Sequence, residues 1–336
     1  MTGNGSLHGR DGYARAKELL LGAKRILVSG HLSPDGDSLG SMIALSRFLR
    51  NAGKDAVATA DLNALGKLSF LDGVGDILPL KKLKRQKFDL LFVVDCSSAN
   101  RLPPEVRPFA EKLPKICIDH HATSDESFAE AAIIDPAASS AGEIVWRFAK
   151  WMEWKLDTVS AEALWVSVVT DTGRFSYDST KLGTMRAAGD LLRHGVRTAL
   201  IADIIYGTFS RKAIELKKIA WRSLHIWKNR KVAEVSLTRD DFRSVRGTKA
   251  DAEDIIEIPR SVARNEIALF FYQIPDRTKE TRCSIRTRGD WDATALAAKF
   301  GGGGHVKASG CTIEASMNAA KRKMRAAVKE MLKSAK

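Results

Sequence analysis

Short apolar runs alternate with segments of helical periodicity through the first part of the chain. Runs that are apolar at successive positions are typical of strands buried on both faces of a parallel sheet. The runs predicted as strands are 26–28, 56–60, 88–94, 116–118 and 131–134. Helical spacing of apolar residues predicts helices at 14–24, from Ser38 onward, and at 141–152, 160–170, 184–194 and 198–206. This alternation predicts an α/β fold with a doubly wound, mostly parallel sheet.

The periodicity changes at about residue 231, where strand-like alternation replaces buried runs. Strands are predicted at 232–237, 266–272, 281–288 and 309–314, with helices at 292–299 and 318–336. This pattern predicts a second, smaller α+β domain. The chain is therefore divided into a flexible tail (1–14), a first domain (15–207), a linker helix (208–228, from the pattern at 211–227) and a second domain (229–336).

The chain is basic, with 54 lysines and arginines against 40 aspartates and glutamates and a net charge of +14. Such a charge suggests an anionic partner such as nucleic acid, nucleotides or polyphosphate, and a solvated basic surface is the alternative. Part of the excess lies in the last predicted helix, which is amphipathic. We favour a docked helix with a solvated basic face over a direct role in binding.

No stretch approaches the roughly 20 apolar residues of a membrane span. The first residues, MTGNGSLHGRDGY, are polar and glycine-rich, unlike a signal peptide. A cytoplasmic protein without a membrane partner is therefore expected. The cysteines are far apart in the sequence and are predicted to be buried apolar residues rather than disulfides or zinc ligands: Cys96, Cys117, Cys283 and Cys311.

Residues of metal-ligand type follow the apolar runs at several points. A strand-to-helix stretch, ILVSGHLSPDGDSLG, carries three of them, and others end further strands or a helix. The full set is His31, Asp35, Asp37, Asp95, His120 and Asp171. A single aspartate at a strand end is more often a cap or turn residue. Their recurrence at successive ends indicates a site, because open α/β sheets place active sites at the carboxyl ends of strands.

Four of these candidate ligands are carboxylates, which would repel one another in one pocket. Two divalent cations would balance the four charges. A mixed carboxylate and imidazole set without thiolate favours Mn²⁺ and related ions over Ca²⁺. Two metals about 3.5–4 Å apart are the usual device for hydrolysing phosphate esters. The sequence therefore predicts two divalent ions, with Mn²⁺ preferred and Co²⁺ or Mg²⁺ left open.

Five motifs carry a family resemblance. In this order the chain reads HLSPDGDSLGS, VVDCS, DHH, TDTGRFSY and, near the C-terminus, GGGGHVKASG. The first four resemble the motifs of the DHH phosphoesterase superfamily, and the fifth resembles the signature of its DHHA1 domain. Length and layout are most similar to the group of bifunctional oligoribonucleases and 3′-phosphoadenosine 5′-phosphate phosphatases, the nanoRNase type.

The resemblance implies a role for each residue of the first domain. His31, Asp35 and Asp95 would hold one Mn²⁺. Asp37, Asp95, His120 and Asp171 would hold the other, with Asp95 bridging the two ions.

Two further residues of the DHH motif would act on the substrate or on their neighbours. His121 would face the scissile phosphate and stabilise charge or donate a proton. Asp119 would orient an imidazole, and a plain turn cap is the equally weighted alternative. One residue departs from the pattern: Ala141 in SSAGE stands where the resemblance leads us to expect a hydroxyl side chain, which bears on helix capping or substrate contact.

The resemblance also implies substrate contacts in the second domain. Its glycine run would let backbone N–H groups approach a phosphate, and His305 would contact the terminal nucleotide or phosphate. An ordinary loop is the alternative for the glycines. The expected contacts are Ser284, Arg286, Arg288, Gly302, Gly303, Gly304 and His305.

These implications together predict a Mn²⁺-dependent hydrolase of short RNA. With the substrate held at both ends, only chains of about two to five nucleotides would fit, and they would be cleaved to mononucleotides. A nucleotide bisphosphate, 3′-phosphoadenosine 5′-phosphate, is compatible with the same site. The oligomeric state is left open, and a homodimer is compatible with the sequence.

Three other functions remain as alternatives. Hydrolysis of cyclic dinucleotides or their linear products would use the same ligands. Inorganic pyrophosphatase activity is disfavoured by the GGGGH-containing domain, which goes with nucleic-acid ends. A nucleic-acid-binding protein without catalysis is disfavoured because a pure binder has no reason to gather four carboxylates against a polyanion.

Overall fold

In the computed structural model, which describes residues 7–229, 231–273 and 280–334, the apolar runs of the first unit form one sheet. Its strands are β1 (Arg25–Ser29), β2 (Asp55–Ala60), β3 (Leu78–Pro79), β4 (Leu90–Val94), β5 (Lys115–Asp119) and β6 (Ala131–Ile134). The spatial order is β3-β2-β1-β4-β5-β6, and neighbouring strands are parallel. The predicted α/β class with a mostly parallel sheet is confirmed.

Within the described ranges, the first helix of the first unit precedes β1, two others lie between strands, and the remaining four follow β6. The helices are α1 (Leu7–Gly22), α2 (Gly36–Asn51), α3 (Arg107–Ala110), α4 (Ala141–Trp151), α5 (Thr158–Asp171), α6 (Leu182–Leu192) and α7 (Thr198–Ala202). Ile26 and Val28 point into the core beneath α2, α4 and α5, whereas Leu27 joins a second core on the other face. Burial on both faces explains why the central positions of β1, β4 and β5 are apolar on both faces.

The strand order creates a switch point beside β1. From β1 the chain moves outward through β2 to β3, then returns to β4 and continues to β6. In such sheets the crevice at the carboxyl ends of the two strands where the order reverses is the usual binding site. The ends of β1 and β4 meet at this crevice.

Helices α2 and α5 pack against each other with backbones in close approach. A Cβ atom added to Gly40 would lie 2.2 Å from the carbonyl oxygen of Ala163. No side chain fits this space without a shift of backbone, so the sequence needs glycine at this crossing. Both helices carry candidate ligands, and their spacing therefore positions the site.

We expect Gly40→Ala to lower the free energy of unfolding by about 1–3 kcal/mol, because the added methyl forces the two helices apart. Gly189→Ala in α6 is the matched control: nothing lies within 4 Å of its added Cβ, so it should stabilise the protein by about 0.5–1 kcal/mol. Urea denaturation of both variants measures the difference. Equal stabilities would contradict the close crossing.

The second unit is built on a mixed sheet. Its elements are α8 (Arg211–Arg222), β7 (His225–Trp227), β8 (Val232–Leu237), α9 (Arg239–Ser244), α10 (Glu257–Arg260), β9 (Ile267–Tyr272), β10 (Thr281–Thr287), α11 (Ala293–Ala298), β11 (Gly303–His305), β12 (Ala308–Ile313) and α12 (Met317–Ser334). The strand order is β11-β12-β10-β9-β8-β7, and only the pair β8 and β9 is parallel among these described strands. The smaller α+β domain is confirmed.

The predicted N-terminal tail differs from the structure in its extent. Residues 1–6 lie outside the described part of the chain, but α1 already begins at Leu7. The ring of Tyr13 lies 5.3 Å from that of Phe148 and 5.5 Å from that of Trp151. This aromatic contact with α4 orders the helix earlier than the local pattern predicts.

The predicted linker helix at 208–228 is also shorter than expected. Helix α8 ends at Arg222, and the chain then pairs with β8 as strand β7. Leu216 and Ala220 lie in the core of the second unit. The boundary between the two compact units falls between Ile205 and Tyr206 along the chain, so α8 belongs to the second unit.

The basic helix α12 is docked on the second sheet. Ala320, Met324 and Val328 are buried in the core, and Arg325 donates two hydrogen bonds, of 2.6 and 2.9 Å, to the buried carboxylate of Glu234. Basic side chains on its other face are exposed, among them Arg322, Lys323 and Lys329. This is the arrangement favoured from the sequence, and it assigns part of the basic excess to a solvated surface.

Among the described residues, no helix is both long and apolar enough to cross a membrane. The cytoplasmic location and the homodimer stay predictions. The cysteines are unpaired and buried, as expected: Cys96, Cys117, Cys283 and Cys311.

Candidate metal centre

The switch point brings the predicted ligands of the first unit together. His31 follows β1, and Asp35 caps α2, accepting a hydrogen bond from the amide of Ser38. Asp95 follows β4, and His120 follows β5. The remaining ligands lie on helices, Asp37 in the first turn of α2 and Asp171 at the end of α5. Each side chain is therefore held by the end of a regular element.

One group of ligand atoms is formed by His31, Asp35 and Asp95. The His31 Nε2 atom lies 3.2 Å from Asp95 Oδ2 and 3.7 Å from Asp35 Oδ2. Ligand atoms of the three residues lie within 4.8 Å of one another. These separations suit a single cation between them.

A second group is formed by Asp37, His120 and Asp171, whose ligand atoms also lie within 4.8 Å of one another. The His120 Nε2 atom lies 3.4 Å from Asp37 Oδ2 and 3.5 Å from Asp171 Oδ2. It also lies 3.7 Å from Asp95 Oδ1. Asp95 thus directs one carboxylate oxygen toward each group, which is the geometry of a bridging ligand.

Asp37 is held by a network that the sequence did not reveal. Its Oδ2 accepts from the amide of Ala141 at 2.8 Å, and its Oδ1 accepts from the amide of Gly142 at 3.1 Å and from Ser167 Oγ at 2.6 Å. The amides belong to the first turn of α4, where a negative charge is favoured. Ala141 acts here through its backbone, so a hydroxyl side chain is not required for this contact. Ser167 lies one turn before Asp171, a helical spacing that could have identified it.

Asp95 has an unusual backbone. Its φ of 56° lies in the left-handed region, which non-glycine residues adopt at a cost. Its amide donates to the carbonyl oxygen of Ile118, which holds the end of β4 against β5. Strained residues of this kind cluster at functional sites. The sequence shows no sign of it.

The carboxylates of the centre act on one another electrostatically. Burial raises the pKa of Asp95 well above its usual range, and the charges of Asp37, Asp35 and Asp119 raise it further. Burial and the same kind of repulsion, from Asp37, Asp35 and Asp95, also raise the pKa of Asp171 well above its usual range. A site that destabilises its own negative charges is suited to a cation. The donor atoms present, carboxylate oxygen and imidazole nitrogen, fit divalent ions of the Mn²⁺ type.

Asp119 and His121 form a hydrogen-bonded pair at the same edge. His121 Nδ1 also lies 3.6 Å from Asp95 Oδ1, and His121 forms a third group of possible ligand atoms with Asp95 and His120. Asp119 Oδ1 lies 2.7 Å from His121 Nδ1, and it accepts from the amides of His120 at 2.8 Å and His121 at 3.3 Å. Its Oδ2 accepts from Ser124 Oγ at 2.7 Å. Burial alone would raise the pKa of Asp119, but the hydrogen bond and charge of His121 hold it well below its usual range. Asp119 therefore contacts both the amides of the turn and the imidazole of His121, and its role in orienting that imidazole stays a prediction.

The predicted contacts on β10 lie on one face of the second sheet. Ser284 and Arg286 are half-buried, whereas the residues between them are buried, so both point away from the core that contains Ile285. Arg282 lies on the same face, although it was not singled out from the sequence. Arg288 lies beyond the end of β10 and is exposed.

The glycine run forms part of a hairpin. Gly303, Gly304 and His305 pair with β12, opposite Gly310, Ser309 and Ala308. A Cβ on Gly302 would lie 2.3 Å from the carbonyl oxygen of Gly310, and one on Gly304 would lie 2.6 Å from that of Ala308. Close packing thus accounts for these two glycines, whereas an added Cβ on Gly303 would meet open space. The His305 side chain lies outside the described part of the structure.

Fold and site together define the class: an α/β protein whose candidate metal centre lies at the strand ends of a parallel sheet. The profile of the DHH family, N-terminal domain, matches residues 25–168, and that of the DHHA1 domain matches residues 243–334. The chain belongs to the DHH/DHHA1 phosphoesterase superfamily, as the motifs predicted.

Several characterised proteins are similar along most of the chain. The bifunctional oligoribonuclease and PAP phosphatase NrnA of Bacillus subtilis (strain 168) is 27% identical, with 86% of this chain and 89% of the relative covered. The protein of the same name from Thermus thermophilus is 28% identical, with coverages of 86% and 84%. An exopolyphosphatase-related protein from Bacteroides fragilis has a similar solved structure, with a TM-score of 0.87, 25% identity and 96% of each chain covered.

Proposed function

We propose that the protein is a metal-dependent phosphodiesterase that degrades short oligoribonucleotides to mononucleotides and also dephosphorylates 3′-phosphoadenosine 5′-phosphate. The observation that carries the proposal is Asp95, whose two oxygens face two separate groups of ligands, 3.2 Å from His31 and 3.7 Å from His120. The activities named for the two NrnA relatives support the choice of substrate.

The proposed cofactors are two divalent ions, with Mn²⁺ as the working assignment. One would be held by His31, Asp35 and Asp95, and the other by Asp37, Asp95, His120 and Asp171. Bound there, such ions would activate water and neutralise charge on the phosphate. The residues themselves contribute a preorganised frame, because Asp37 and Asp119 are each fixed by three or more hydrogen bonds.

His121 is proposed to hold the proton that the leaving group needs. Its Nδ1 is paired with Asp119, so Nε2 is the ring atom that can carry a second proton. In the second unit, Ser284, Arg286 and Arg288 on and after β10, together with Gly302, Gly303, Gly304 and His305, are proposed to contact the distal part of the substrate.

Turnover of a labelled RNA dinucleotide with Mn²⁺, alongside 3′-phosphoadenosine 5′-phosphate and cyclic di-AMP, tests the proposal. We expect rapid release of mononucleotides from the dinucleotide, dephosphorylation of the bisphosphate, and loss of both activities with EDTA. Cleavage of the cyclic substrate alone would indicate that the protein hydrolyses cyclic dinucleotide second messengers instead. Tight, metal-independent RNA binding without any cleavage would show that the protein binds nucleic acid and is not an enzyme.

A further inference from the structure

A cavity of about 410 Å³ lies beside His121 in the first unit. It is formed by two chain segments that follow neighbouring strands, residues 97–101 after β4 and residues 121–128 after β5. Its volume falls in the lower part of the range of roughly 300–1,000 Å³ that small-molecule sites occupy. A volume of this size accommodates a single nucleotide.

The cavity is part of the same edge as the metal centre. His121 belongs to both, and the carbonyl oxygen of Arg101 accepts a hydrogen bond of 2.8 Å from the amide of Leu32, next to His31. Arg101 therefore lies close enough to the centre to act on a ligand bound there.

The lining combines an apolar ring with polar groups of several kinds. Phe128 is half-buried and packs against the apolar core on that face of the sheet. Asn100 and Arg101 are exposed, and within the described residues Arg101 makes no ion pair with a carboxylate. Asp125 also lines the cavity, but its carboxylate accepts two hydrogen bonds from Ser127.

These groups match the parts of a nucleotide. A flat aromatic ring stacks on any base, an amide hydrogen-bonds to base edges, and a guanidinium binds phosphate oxygens. Inorganic phosphate or pyrophosphate would require neither the ring nor the volume. The cavity therefore differs from a site that recognises phosphate alone.

We propose that this cavity binds the nucleoside attached to the scissile phosphate, with Phe128 under the base, Asn100 at its edge and Arg101 on a phosphate oxygen. The proposal rests on the proposed function and names the part of the substrate that the first unit recognises. It makes the base adjacent to the cleaved bond a determinant of affinity.

Two kinetic substrates test the assignment: an RNA dinucleotide, and glycerophosphocholine, which has a phosphodiester but neither a nucleoside nor an aromatic ring. Phe128→Leu keeps apolar packing but removes the ring, and Asn100→Ala removes the amide. Each should raise KM for the dinucleotide about tenfold and leave kcat/KM for the nucleoside-free ester within about twofold. Arg101→Ala should lower kcat/KM for both substrates, because both carry the phosphate that the guanidinium would contact. Arg186→Ala, an exposed arginine on α6, is the control that should change neither.

Calorimetric binding of adenosine 5′-monophosphate in the presence of Mn²⁺ gives a readout without turnover. Saturable binding that weakens about tenfold in Phe128→Leu and Arg101→Ala would support the assignment of the cavity as a nucleotide site. If such binding is found but the dinucleotide is not a substrate, the proposed function is wrong and the assignment of the cavity stands. Absence of binding in the wild type, or equal loss of activity on both esters in Phe128→Leu and Asn100→Ala, would overturn the inference.

Discussion

Asp95→Asn is expected to abolish turnover and, in the absence of metal, to make the protein more stable. Asp95 is 3% exposed and lies among other carboxylates that raise its pKa. Removing its charge relieves this repulsion, and asparagine has the same shape and tolerates the left-handed φ of 56°. We expect a gain of about 1–2 kcal/mol in the metal-free protein. The same change removes the one side chain that faces both ligand groups, so the rate should fall at least about a thousandfold.

Thermal melting with EDTA and with Mn²⁺, together with dinucleotide turnover, measures both effects. The wild type should melt at a higher temperature with Mn²⁺, and this increase should be much smaller in Asp95→Asn. Asp240→Asn, whose side chain is 90% exposed in the second unit, is the control and should behave as the wild type. A variant that keeps its turnover, or that is less stable than the wild type without metal, would show that Asp95 has a structural role only.

The centre could be located from the sequence because its ligands stand at element boundaries. A strand buried on both faces has no polar residue until it leaves the core, so Asp95 after β4 and His120 after β5 mark the edge of the sheet. The rules of open α/β sheets then place such edges together. Neither inference requires knowledge of side-chain contacts.

Contacts made by the backbone could not be predicted in the same way. Any residue type except proline could supply an amide to Asp37 from position 141, and no residue type announces the backbone conformation of Asp95. The pattern at 211–227 fits a helix throughout, but pairing with β8 turns its last part into β7. Arg101 was not predicted as a site residue, because a single exposed arginine in the sequence gives no sign that it lines a cavity.

Asp119→Asn is expected to lower kcat about a hundredfold while leaving the fold intact. The amide oxygen can still accept from the amides of His120 and His121 and from His121 Nδ1, and the amide nitrogen can donate to the hydroxyl of Ser124. The hydrogen bonds are thus kept and the negative charge is lost. A fall in rate therefore reports the contribution of that charge beside His121 rather than the loss of a hydrogen bond.

A double-mutant cycle separates this role from that of a turn cap. His121→Ala alone should lower kcat by about 10²–10⁴-fold. If Asp119 acts through the imidazole, the double variant should be no slower than His121→Ala, because the imidazole on which Asp119 acts is then absent. Asp119→Asn should lower the melting temperature, because the low pKa of Asp119 means that its charge stabilises the fold at neutral pH. Asp119→Ala, which removes the cap as well, should lower it further. Two results would show that Asp119 only caps the turn: a wild-type kcat in Asp119→Asn, or rate losses of the two single variants that multiply in the double variant. A residue that orients the proton donor cannot act independently of it.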